Sequence, residues 1–181
     1  MCTQCRFAWL LAKVYNTVEK RDEWLKGALH GIDFIAKHGF DDDGRMWFHV
    51  TREGKPIRKR RYVFTEFFAA KAFAACARAS GDEKLVQRAN ETYQLAKTYL
   101  LNPDLAPKKN TATRPTRGLA IPMIRLGIAQ EMRLNLEDDS YTTEVDEAIN
   151  EIRDYFVKPA LKCVMETVGD NGEILDHFDG R

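Results

Sequence analysis

Residues 67–77 read FFAAKAFAACA, and this stretch decides the fold. It lies in a predicted helix from about Thr65 to Ser80, followed by Gly81 as a helix stop and Asp82 as the start of the next helix. A helix that is apolar on nearly every side is buried by its neighbours, whereas an amphipathic helix keeps one face in water. The middle of the chain is therefore predicted to be a buried helix.

Working outward, apolar residues at three-and-four spacing predict five further helices. Their approximate positions are 7–18, 22–38 (starting at Asp22 and stopped by Gly39), 82–100, 119–134 and 144–156. The first, third and fifth helices are poor in charge, and the other three carry charge on one face. This alternation indicates an inner ring of helices wrapped by an outer ring.

A repeat of helix pairs is supported by the sequence DEWL at 22–25, which recurs as DEKL at 82–85. Such pairs close into an α/α toroid, but three pairs are too few to close one. The prediction is an all-α fold, with residues 1–181 forming a single incomplete α/α-barrel domain. Such a domain either assembles with copies of itself or belongs to a longer protein, and we favour the second.

Two stretches break the helical pattern and predict β-hairpins between helices. The first runs from Met46 to Ile57 and turns at Gly54. The second pairs residues 164–168 with 173–178 around Asp170-Asn171-Gly172.

Composition narrows the functional classes. Of 181 residues, 44% are hydrophobic, and 28 Lys and Arg against 27 Asp and Glu give a net charge of +1. This balance argues against recruitment by nucleic acid or by a membrane surface.

No apolar run is long enough to span a bilayer and the N-terminus has no apolar signal region, so a cytoplasmic location is predicted. The basic run of Lys55, Arg58, Lys59, Arg60 and Arg61 is interpreted as a solvated hairpin edge.

The cysteines Cys2, Cys5, Cys76 and Cys163 include a Cys-x-x-Cys at the N-terminus. A structural zinc site would need a second pair of ligands, and the other two cysteines stand alone with no histidine nearby. Reduced thiols are therefore predicted, without a metal or a cofactor.

A candidate site follows from the toroid, because its inner helices would point the same way and share one rim at their N-terminal ends. Helix N-termini favour anions and hydroxyl-rich ligands. The polar residues near these ends are Arg6, Glu66 and Arg117, accompanied by Gln4, Trp9, Phe64 and Met123. Two interpretations stay open: these residues hold a sugar, or Glu66 caps its helix and pairs structurally with Arg6.

The histidines offer no pair at a convincing spacing for two-sided proton transfer. His30 and His38 lie in the charged second helix and are interpreted as structural, and His49 lies in the first hairpin. His177 is a weak catalytic candidate near the end of the chain.

Five ordered stretches carry a family resemblance. They are residues 4–9 (QCRFAW), 47–56 (WFHVTREGKP), 62–70 (YVFTEFFAA), 121–124 (IPMI) with 129–133 (AQEMR), and 176–181 (DHFDGR). With these stretches the chain resembles the N-acylglucosamine 2-epimerase family. The resemblance implies an (α/α)6 barrel and epimerisation, or aldose–ketose isomerisation, at C2 of an unphosphorylated sugar, with histidines as general base and acid.

The resemblance also implies which residues contact the sugar. The Gln-x-Arg-x-x-Trp pattern falls on Gln4, Arg6 and Trp9, and the Tyr-x-Phe-x-Glu pattern falls on Tyr62, Phe64 and Glu66. A small-molecule sugar is the expected partner and homodimerisation is expected from the family.

The sequence departs from the family in two ways. Cys5 replaces a usual glycine, which places a side chain beside the rim. The resemblance also implies a first barrel helix, an Asn-Pro-Gly-His segment after Arg181 and a more distal second histidine, none of which lies within residues 1–181. The chain alone is therefore expected to be inactive, without the catalytic histidines. The alternative prediction is a non-catalytic helical-repeat module that binds a sugar or a protein.

Overall fold

The computed structural model describes residues 1–60, 62–102, 104–105, 113 and 115–175. These residues contain the α-helices α1 (Cys2–Thr17), α2 (Asp22–His38), α3 (Phe64–Ser80), α4 (Glu83–Leu101), α5 (Ala120–Leu136) and α6 (Thr142–Glu151). They also contain the strands β1 (Trp47–Val50), β2 (Pro56–Lys59), β3 (Thr116–Gly118), β4 (Val157–Lys158), β5 (Cys163–Val164) and β6 (Thr167–Gly169). The six predicted helices are confirmed to within a few residues at each end. None of the described helices is both long and apolar enough to cross a bilayer.

The described residues fall into two compact units. The first lies within Met1–Ala106 and Glu131–Asp138, and the second within Pro107–Gln130 and Asp139–Arg181. Helix α5 is continuous through the boundary, so its last turns belong to the first unit. That all 181 residues form one domain stays a prediction.

In the first unit, α3 is the buried centre. Every residue from Thr65 to Ala77 is buried, because α1, α2 and α4 all pack against this helix. The helix ends at Gly81, whose φ of 73° lies in the left-handed region, and the carboxylate of Asp82 accepts a hydrogen bond from the backbone N–H of Lys84 at 2.9 Å. The predicted helix stop at Gly81 and the predicted helix start at Asp82 are both confirmed.

The helices around α3 are only partly buried. The buried residues are Ala28, Ile32 and Ile35 in α2 and Ala89, Thr92, Tyr93 and Ala96 in α4. Helix α1 buries Cys5, Ala8 and Ala12 but exposes Phe7 and Leu10, at 61% and 46%. Burial on all sides therefore holds for α3 but not for α1.

The first predicted hairpin is confirmed as β1 paired antiparallel with β2. Its turn contains Gly54 at a φ of 86°, where a side chain would also collide with the ring of His38. The hairpin is tied to the preceding loop by Lys59, whose ammonium reaches Asp41 at 2.5 Å and Asp43 at 2.7 Å.

The second predicted hairpin is wrong. In the second unit β6 pairs antiparallel with β3, and β5 pairs with β4. Gly172, at a φ of 89°, does make a turn, in which its N–H donates to the carbonyl of Gly169 at 3.0 Å. Residues 173–175 are not in a strand, and 176–178 lie outside the described residues. Strands of two or three residues carry too little pattern to identify a distant partner.

Two features hold the second unit together. Phe156, Met165 and Val168 form a small buried core. The other feature is Arg125 of α5, whose guanidinium lies 3.0–3.3 Å from three carboxylates of the α6 region, those of Glu144, Glu147 and Glu151.

Candidate functional site

Helices α1 and α3 run side by side in the same direction. Near their N-terminal ends the Cys2 sulfur lies 3.1 Å from the Thr65 hydroxyl, and further along Asn16 donates to the carbonyl of Ala75 at 3.0 Å. The predicted meeting of inner-helix N-termini is therefore confirmed for this pair.

Between these helices lies a cluster of cations and aromatic rings. The Arg6 guanidinium stands 4.0 Å from the centre of the Phe68 ring. The ammonium of Lys71 stands 3.6 Å from the centre of the Trp9 ring and 5.2 Å from that of Phe68. Glu131 joins this group through Trp9, and Lys13 joins it through Glu131. We call the whole group the Arg6–Lys71 cluster; its members are Arg6, Trp9, Lys13, Phe68, Lys71 and Glu131.

Glu131, in the last turns of α5, supplies the negative charge of the cluster. Its carboxylate accepts hydrogen bonds from Trp9 Nε1 at 2.9 Å, from Lys13 at 2.9 Å and from the amide of Asn135 at 3.0 Å. Burial raises the pKa of this carboxyl, but the hydrogen bonds from Trp9 and Lys13 outweigh burial and hold the pKa below its usual value. Glu131 is therefore ionised at neutral pH, and both of its oxygens are engaged.

Lys71 is the cluster's most deeply buried cation. It is 9% exposed, and no described residue offers its ammonium a hydrogen-bond acceptor. Burial lowers the pKa of Lys71; the carboxylate of Glu131 opposes this effect, and the charges of Arg6 and Lys13 add to it. Sequence reasoning missed this residue, although a lone Lys inside FFAAKAFAACA was a visible signal.

Glu66 lies one turn nearer the start of α3 and is fully buried. Its Oε1 accepts from Arg45 Nε at 2.6 Å and from the backbone N–H of Met46 at 3.0 Å. Arg45 also donates to the carbonyls of Arg60 and Tyr62, at 3.1 and 3.3 Å. Through these bonds Glu66 links α3 to Arg45 and Met46, the two residues that precede β1. The interpretation that paired Glu66 with Arg6 is wrong, because its partner is Arg45.

The other residues predicted to bind substrate belong to different elements of the two units. Gln4 is exposed on α1, and the Tyr62 ring, 37% exposed, stacks on Phe64 with 5.7 Å between ring centres. Met123 is 54% exposed and belongs to the second unit, as does Arg117, whose Nε donates to the carbonyl of Asp170 at 2.5 Å. Substrate contact by these residues stays a prediction.

The described histidines have separate surroundings. His30 is exposed on α2, and His49 is exposed in β1. The His38 ring lies 4.9 Å from that of Phe34. His177, the weak catalytic candidate, lies outside the described residues.

Cys5, which stands where the family usually has a glycine, faces the interior. Its side chain is fully buried, and burial raises the pKa of the thiol to about 12. Burial likewise raises the pKa of Cys76 to about 12. Within the described residues no three His, Cys, Asp or Glu side chains are grouped closely enough to hold a metal ion.

Comparison with known proteins agrees with this architecture. Residues 1–178 match the profile of the N-acylglucosamine 2-epimerase family, and the chain belongs to that family. It is 24% identical to the N-acylglucosamine 2-epimerase of Bos taurus, over 98% of this chain and 44% of that protein. A match to the cellobiose 2-epimerase of Dictyoglomus turgidum is also 24% identical and covers 54% of this chain.

Solved structures show the same fold. The cellobiose 2-epimerase from Bacillus thermoamylovorans superposes with a TM-score of 0.83 at 16% identity, over 96% of this chain and 49% of that one. A D-mannose isomerase superposes with a TM-score of 0.75 at 16% identity, over 96% and 46%. The chain thus has part of the all-α (α/α)6-barrel fold. It spans less than half the length of the mammalian relatives it matches.

Proposed function

We propose that this chain binds the substrate in a carbohydrate epimerase or isomerase that acts at C2 of an unphosphorylated sugar. The observation that carries the proposal is the exposed Arg6 beside Trp9, in a chain of the N-acylglucosamine 2-epimerase family. Arg6 has no ion-pair partner among the described residues and rests on the Phe68 ring. Its guanidinium donors therefore remain available to a ligand.

The reaction explains why such a cation is needed. In a ring-opened sugar, the C2 proton is adjacent to the C1 carbonyl. A base removes this proton, and the bonding pair moves to the carbonyl oxygen. An acid then returns a proton to the opposite face of C2, which gives the epimer. Alternatively it returns the proton to C1 while the proton of the C2 hydroxyl passes to the C1 oxygen, which gives the ketose. Arg6 would donate hydrogen bonds to the oxygen as its negative charge develops, so it would stabilise the transition state more than the bound sugar.

We further propose that residues 1–181 bind the sugar without performing proton transfer. His38 packs on Phe34, and His49 lies in the hairpin, so neither is part of the Arg6–Lys71 cluster. The general base and acid would then be histidines supplied by other parts of the barrel. The length of the relatives, more than twice this chain, supports this division.

The proposal is tested by hydrogen exchange. The protein expressed from its complete gene is incubated with unphosphorylated aldoses in D2O, and deuterium at C2 is followed by NMR. Exchange at C2 is expected, and the products identify epimerisation or isomerisation. Arg6→Met should slow exchange by roughly 100-fold, since loss of one oxyanion donor typically costs this much. Lys26→Met, which removes an exposed charge on α2, serves as the control.

The outcomes separate the two functional classes. Binding of a sugar without exchange of any aldose would favour a non-catalytic binding module. Exchange catalysed by residues 1–181 alone would show that this stretch contains its own base, and would contradict the proposed division.

A further inference from the structure

The proposed function does not explain why Lys71 is buried without a hydrogen-bond acceptor among the described residues. Its ammonium has three N–H donors and only 9% of the residue is exposed, yet the described residues around it offer rings and no acceptor. Contact with the faces of Trp9 and Phe68 offsets part of the desolvation cost. Rings do not satisfy N–H donors as oxygen atoms do, however, so an acceptor is still required.

The carboxylate of Glu131, which carries the negative charge of the cluster, already has hydrogen-bond partners. Both oxygens of Glu131 accept hydrogen bonds, and its ion pair is with Lys13 at 2.9 Å. The cluster therefore contains three cations and one carboxylate, and neither Arg6 nor Lys71 forms an ion pair with a described residue. Two neighbouring cations of this kind favour a ligand that carries negative charge.

The position of Lys71 within α3 makes the argument stronger. From Thr65 to Ala77 the buried charged residues are Glu66 and Lys71. Glu66 has its counter-charge in Arg45, at 2.6 Å. An apolar residue such as Met would fill the place of Lys71 without a desolvation cost, so packing alone does not explain a lysine at this position.

We propose that Lys71 binds a carboxylate of the substrate, so that the sugar held by this cluster is an acidic one of the uronic acid class. This inference rests on the proposed function, in which Arg6 serves the carbonyl oxygen that becomes negative during reaction. Lys71 is then left for a second anionic group. Because so little of Lys71 is exposed, a flat carboxylate reaches its ammonium more readily than a bulkier phosphate.

The test compares sugars that differ in this one group. Glucuronate, glucose and glucose 6-phosphate are titrated by calorimetry into the protein expressed from its complete gene. Glucuronate is expected to bind roughly 10- to 100-fold more tightly than glucose, as one charged hydrogen bond allows. Lys71→Met should abolish this preference, and Lys71→Arg should restore part of it.

Two controls accompany these variants. Lys26→Met removes an exposed lysine of α2 and should keep the preference for glucuronate. Thermal unfolding followed by circular dichroism establishes that Lys71→Met is folded, and Lys71→Gln provides a second neutral variant if it is not.

Several results would overturn the inference. Equal affinity of the unmodified protein for glucuronate and glucose would do so, as would a preference that survives in Lys71→Met. Tighter binding of glucose 6-phosphate than of glucuronate would assign the cluster to phosphate instead. Exchange at C2 separates this inference from the proposed function: exchange without an anion preference refutes the inference alone, and a Lys71-dependent preference without exchange refutes the proposed function alone.

Discussion

Helix α3 buries two opposite charges in two different ways. Glu66 is fully buried, and its carboxylate meets the guanidinium of Arg45 at 2.6 Å. Lys71, little more than one turn further along, is 9% exposed and faces the ring of Trp9 with no carboxylate in contact. A buried charge with a partner from the same chain is explained by folding. Lys71 has no such partner among the described residues, which is why we propose a ligand for it.

The largest expected effect comes from breaking the buried ion pair between Arg45 and Glu66. Arg45→Met would leave Glu66 buried without its counter-charge and should lower the free energy of unfolding by about 3–5 kcal/mol. Urea denaturation measures this change. The double variant Arg45→Met/Glu66→Gln should recover part of the loss, because no net charge remains buried. A loss below about 1 kcal/mol in the single variant would show that Glu66 does not depend on Arg45.

A smaller effect is expected at the carboxylate of the Arg6–Lys71 cluster. Glu131→Gln should cost about 1–3 kcal/mol at pH 7, because Trp9 and Lys13 lose a charged acceptor. The folded-state pKa of Glu131 lies below the usual value of 4.5, so its stabilising contribution is complete above that pH and is lost as pH falls through the folded pKa. The difference between the two proteins should therefore shrink in acid.

Urea denaturation from pH 7 to pH 3 measures this dependence. Glu53→Gln, at an exposed turn position, is the matched control and should show little effect at any pH. A difference between Glu131→Gln and the unmodified protein that grows in acid would contradict the assignment.

The smallest effect on stability is expected at Lys71. Lys71→Met keeps the length of the side chain and removes a desolvated ammonium, so the free energy of unfolding should change by less than about 1 kcal/mol or rise slightly. Thermal and urea denaturation at pH 7 measure it. A loss above about 2 kcal/mol would mean that Lys71 is structural and that the contrast with Glu66 does not hold.

Local patterns predicted the helices and the first hairpin well. Apolar spacing gave α3 to within one residue, and Gly81 and Asp82 were read correctly as its stop and the next start. The family stretches also located Arg6 and Trp9, which the structure places in one cluster. The second hairpin was wrong because the partner of β6 is β3, about fifty residues earlier, and three-residue strands carry no signal over that distance.

The sequence alone determined which segments are helical and which helix is buried, because these properties follow from the spacing of apolar residues over a few turns. Only the tertiary structure determined which charged residues form ion pairs and which side chains are buried. Glu66 pairs with Arg45 rather than Arg6, Cys5 is buried, and Lys71 lies on an aromatic ring without an ion pair to a described residue. Ion pairing depends on distances of a few ångströms between residues far apart in the chain, and no local pattern records those distances.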